Sequence, residues 1–173
     1  MRHRAQVRDR TKARSESFAG DKELPRMSEH LTAHALDRAG VETLVHDFYA
    51  DVRRDDLLAP VFDNLIGDDW SVHLDRLVEF WSTVMLGTRT FRGNVYGKHM
   101  ALDGVRPEHF LRWITLWHRH TDRLFSDAIA EELQRTAHGI GRNLFHGFFG
   151  EFPRFVMRDG VAIGHEPDPG IPA

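Results

Sequence analysis

No cysteine occurs among the 173 residues, and that absence removes several chemistries at once. Disulfides, thiolate nucleophiles, Fe–S clusters, zinc-thiolate sites and cofactor attachment through a CxxCH motif are all excluded. An excess of one charge is also missing. Charged residues make up 28% of the chain, yet the net charge is −3, which offers no footprint for nucleic acid or an anionic membrane. No apolar run approaches the length that spans a bilayer. Strand-like alternation and internal repeats are not evident. HExxH and paired ExxH motifs are missing, so zincin and di-iron readings lack their ligands. Histidine, carboxylate, tyrosine and methionine remain as ligands, and twelve histidines are present.

Length alone makes one domain the default. Residues 1–27 are polar and arginine-rich without an apolar block, and are expected to form a disordered extension rather than a secretory signal. The folded domain is placed at 28–156 and is expected to be all-α. Within VETLVHDFYADVRR, Val41, Leu44, Val45, Phe48 and Val52 recur at helical spacing. LLAPVFDNLIG reads as a turn, with Pro60 limiting any helix and Gly67 ending it. DDWSVHLDRLVEFWSTVMLG predicts a helix with Leu74, Leu77, Val78, Trp81, Val84 and Met85 on one face.

Gly87, Gly93, Gly97 and Gly104 then mark a long loop with a helical turn near His99. Pro107 opens a helix that buries Phe110, Trp113, Ile114, Trp117 and Leu124. Ser126 caps a last helix through Ile129, Leu133, Ile140, Leu144 and Phe148, whose glycines suggest close backbone packing. Residues 157–173, ending PDPGIPA, read as a flexible tail.

Some side chains could carry chemistry. His30 and His34 are spaced i,i+4 but sit in a polar region, where a solvated face is the ordinary outcome. His118 and His120 point apart on a helix and cannot share a metal. Phe48, Phe62 and Trp81 have a natural explanation as core. Tyr49, His73 and Trp113 differ, because each brings a polar atom to an apolar face and needs a partner there. His99, beside Lys98, reads on its own as a solvent-facing residue.

The segments DFYADVRRDDLLAPVF, WSVHLDRLVEFWSTVMLGTRTFRGNVYGKHMAL and HFLRWITLW together resemble the group III truncated haemoglobins. That resemblance implies a two-over-two helical sandwich around haem b (iron protoporphyrin IX). It implies His99 as the proximal iron ligand, with Tyr49, His73 and Trp113 as distal groups that stabilise a bound ligand. Phe48, Phe62, Leu77 and Trp81 are expected against the haem, with Arg92 and Lys98 as partners for its propionates. The expected partners are dioxygen and other small diatomic ligands, with an unidentified reductase. A cytoplasmic monomer or weak homodimer is expected, with peroxidase-like or nitric oxide dioxygenase activity as candidate chemistry. The competing reading is a non-haem helical interaction module whose aromatics form only a core.

Overall fold

The computed structural model describes residues 33–170. The extension at 1–27 and His30 lie outside the described residues. Helix α1, Arg38–Val52, starts where Asp37 turns extended and its carboxylate accepts the Gly40 N–H at 2.9 Å, which satisfies one donor that the first turn cannot. The expected stripe of Val41, Leu44, Val45, Phe48 and Val52 is fully buried.

Where a turn was expected there is a helix, α2, Ala59–Ile66. Pro60 stands in its first turn, where a missing N–H costs nothing, so the proline opens the helix instead of limiting it. Asp55 prepares the turn by accepting the N–H groups of Leu57 and Leu58, each at 3.1 Å. Helix α3, Trp70–Leu86, buries Val78 and Trp81 as expected. Val84, assigned to the same face, is 42% exposed, because it falls at the edge of the stripe. Short α4, Val95–Met100, follows, then α5, Pro107–Leu124, and α6, Asp127–Phe149.

Helix α1 packs on both α3 and α5, and α5 packs on α6. The result is the two-over-two helical sandwich. Its core interlocks Phe48, Trp81 and Trp117 with Leu44, Leu58 and Leu133, and the Trp117 indole donates to the Leu133 carbonyl at 3.2 Å. Between α1 and α5, His120 Nδ1 accepts from Arg123 at 3.0 Å, so its Nε2–H donates to Asp51 at 3.0 Å. Burial holds that imidazole neutral by lowering its pKa. No helix among the described residues is long and apolar enough to cross a membrane.

The C-terminal segment does not behave as the expected flexible tail. Strands β1, Pro153–Arg158, and β2, Val161–Pro167, pair antiparallel. Between them Asp159 (φ 49°) and Gly160 (φ 75°) both take left-handed conformations, which is the two-residue turn that matches strand twist. Phe155 and Ala162 bury themselves against Ile114 and Phe145, so the segment has apolar surface to hide after all. Thr115 of α5 accepts the Ala162 N–H at 2.9 Å and fixes the hairpin to the helix. Thr115→Val should destabilise the protein by about 1 kcal/mol, the net worth of such a bond. Thermal unfolding would show the loss, and the Ala162 amide would exchange faster.

Candidate functional site

The six residues of α4 cannot make a stable helix alone, and two neighbours hold them. Asn94 accepts the Gly97 N–H at 2.8 Å and caps the start. On the other side, α6 approaches so closely that a Cβ on Gly147 would stand 2.5 Å from the Met100 sulfur and 2.6 Å from the Tyr96 hydroxyl. This explains one glycine in α6.

His99 lies on this short helix, and its Nδ1 is 2.8 Å from the Val95 carbonyl. A carbonyl only accepts, so Nδ1 carries the proton and Nε2 keeps a free lone pair. Burial lowers the His99 pKa, while the Val95 bond works in the opposite direction. The ring borders a cavity of about 690 Å³.

The structure brings nearly all the expected residues to that cavity. Tyr49 of α1, Phe62 of α2, His73, Leu77 and Trp81 of α3, and Trp113 of α5 line it with His99. Arg92 and Lys98, both exposed, line its rim. Phe48 is the exception. It is fully buried one layer behind, edge-on to Tyr49 at 4.8 Å, Trp113 at 5.3 Å and Trp117 at 5.1 Å. Its place in the α1 stripe turns it into the core, so it supports two cavity residues and does not line the cavity.

Tyr49 is only 5% exposed. Burial pushes its pKa far up, and the nearby Trp113 indole N–H acts in the opposite direction. The phenol therefore stays protonated and can donate. His73 stands edge-on to Tyr49 at 6.3 Å. Its pKa is lowered by burial first, then by the charges of His99 and Arg76. The Tyr49 shift has a stability consequence. Above pH about 10 an unfolded chain ionises its tyrosines. Folded Tyr49 does not, so stability present at lower pH is lost as pH rises through that value. Tyr49→Phe should flatten this alkaline decline in a series of unfolding midpoints.

Among the cavity residues that the sequence did not point to, Arg76 and His109 carry polar groups. Arg76 joins the exposed cations at the rim. His109 lines the cavity and is 8% exposed, with its Nδ1 accepting the Arg106 N–H at 3.0 Å. Its signal was its place two residues after Pro107, where a side chain can reach back to cap the helix. Behind the wall, Trp117 stacks on Trp81 at 4.3 Å and on Trp113 at 5.3 Å.

A curated protein described as a group 3 truncated hemoglobin from Campylobacter jejuni is 26% identical over 108 residues, which is 61% of this chain and 85% of that protein. The crystal structure of the group III truncated hemoglobin from Campylobacter jejuni matches with a TM-score of 0.62 and 24% identity, covering 64% of this chain and 90% of that one. This chain has the truncated globin fold. The resemblance to group III truncated haemoglobins seen in the three sequence segments therefore holds in sequence and in architecture. No family model matches the chain. In this fold the cavity opens between the α1–α3 and α5–α6 pairs, bounded on one side by the loop that carries α4.

Proposed function

We propose that the cavity holds haem b without covalent attachment, that His99 Nε2 is its axial ligand, and that the protein binds dioxygen and related diatomic molecules there. One observation carries the reading. His99 Nδ1 is committed to the Val95 carbonyl, which leaves Nε2 unprotonated at the wall of a large, mainly apolar cavity. The other cavity-lining imidazole with a fixed tautomer, His109, has spent its Nδ1 lone pair on a backbone N–H, so its Nε2 is protonated.

The remaining residues fit the same group. Phe62, Leu77 and Trp81 supply an apolar slot for a flat macrocycle, and exposed Arg76, Arg92 and Lys98 supply cations for its carboxylates. The similar protein bears the name of a hemoglobin. Haem supplies an iron centre that binds diatomic ligands reversibly. Tyr49 offers an O–H and Trp113 an N–H to a ligand that draws negative charge, in a place where water competes poorly. Such donors favour tight retention and slow release, which suits redox turnover on oxygen, peroxide or nitric oxide better than transport.

The test is haemin titration of the purified full chain. A sharp Soret band at one haem per chain is expected. A titration that shows only the broad absorption of free haemin, with no sharp saturating Soret band, would sink this reading and leave the helical interaction module.

A further inference from the structure

Away from the cavity, α5 and α6 each turn a histidine toward their shared seam. The Nε2 atoms of His118 and His138 lie 2.9 Å apart, and the ring centroids 5.1 Å. One turn further on, Gln134 of α6 donates to Asp122 of α5 at 2.7 Å and to Thr121 at 2.9 Å. Phe155 of β1 stands edge-on to His138 at 5.8 Å. Gln134 ties the two helices together beside the pair, and both rings remain half-buried and reachable from solvent.

An N···N hydrogen bond needs one protonated and one unprotonated nitrogen. When the shared proton moves to the donor ring's own Nδ1, both Nε2 lone pairs are free but point at each other, and a rotation of each ring about its Cβ–Cγ bond aims them at a common point beside the N···N line. Metal–imidazole bonds are about 2.0–2.1 Å long. Two such ligands at a right angle stand roughly 2.9 Å apart, and at a tetrahedral angle roughly 3.3 Å. The observed separation, set here by the N–H···N bond, also equals that of a cis pair in a square-planar centre, which Cu(II) adopts, and Cu(II) tops the affinity order for nitrogen ligands. Among the described residues no group of three or more histidines or carboxylates is arranged for a metal, so water fills the other positions.

We propose that His118 and His138 form a two-imidazole binding site for Cu(II) on the α5–α6 seam. It is independent of the haem reading. Binding replaces two waters of aqueous Cu(II) by two Nε2 atoms, each ring keeps one N–H on Nδ1, and no electron is transferred.

The experiment is titration of the full chain with Cu(II) chloride, followed by 1H–15N line broadening and by the copper EPR spectrum. Broadening centred on His118 and His138 is expected, with splitting from two nitrogens. His118→Gln and His138→Gln each keep a hydrogen-bond partner across the seam but remove one imidazole. Each should leave the copper-free melting temperature near wild type and weaken copper at this seam by roughly tenfold or more. His34→Gln should leave the seam signal unchanged. No seam broadening at several equivalents of copper would overturn the proposal, as would broadening that persists unchanged in both glutamine variants.

Discussion

His99→Leu is expected to lose at least roughly 100-fold in haem affinity while keeping most of the helical signal. A residue that merely orients a metal ligand is worth roughly 10–100-fold in metal affinity, and the ligand itself exceeds that. Leucine keeps the side chain apolar and of similar bulk, so the half-buried position beside α6 stays filled. Only the axial bond and the Val95 contact disappear. Haemin transfer to an acceptor globin measures the affinity, and far-ultraviolet circular dichroism measures the helices. A variant with a wild-type ferrous spectrum would show that another residue is the ligand. His73 would then be the next imidazole to examine, since it borders the same cavity.

The second large effect is expected in ligand release. Tyr49→Phe removes one hydroxyl and leaves the ring, which packs edge-on against Phe48 and Phe62 at 4.8 and 5.9 Å. A hydrogen bond to a partly charged acceptor is worth about 1.5–3 kcal/mol, or roughly a tenfold to hundredfold change in oxygen dissociation rate. Trp113→Phe removes the indole donor and also shrinks the ring stacked on Trp117, so faster release should come with lower stability. The two effects should not add. Trp113 N–H lies beside the Tyr49 oxygen, so each change also alters what the other residue donates to. His73, half-exposed and edge-on to Trp70 at 6.0 Å, should change ligand access more than retention when replaced by leucine. Stopped-flow oxygen dissociation decides the matter. If both Tyr49→Phe and Trp113→Phe release oxygen at the wild-type rate, neither is a distal donor.

Much of this arrangement was legible from residue order, and the exceptions have physical causes. The stripes of α1 and α5 are strongly periodic, so both helices and the buried positions of Val41, Leu44, Ile114 and Trp117 follow from spacing alone. Proline at position 60 misled, because the same residue that breaks a helix interior starts a helix in its first turn. The hairpin was hidden by Gly164, a closing Pro167 and a bulge between Val156 and Met157, which blur the alternation. The signal that could have revealed it was Asp159-Gly160, a two-residue hairpin turn between Arg158 and Val161. At the site, Tyr49, His73 and Trp113 stood out as polar groups at apolar positions, whereas His99 was singled out only by the family resemblance; all four line the cavity. Phe48 was misplaced because a stripe residue next to Tyr49 looks equally suited to a cavity or to the layer behind it. His109 was missed because its position two residues after Pro107 signals a helix cap and says nothing of a cavity.

The tryptophans give the protein a built-in gauge. The chain has four of them. Trp81 and Trp113 border the cavity, Trp117 is stacked between them, and Trp70 lies 6.4 Å from cavity-lining Phe62. Every indole is thus either at the wall or one ring away from it. A strongly absorbing occupant would accept excitation from the whole set, and the chain's ultraviolet emission would go dark on loading and return on loss. Loss of the proposed haem can therefore be timed on the unlabelled protein, with the emission of all four indoles rising as a single phase.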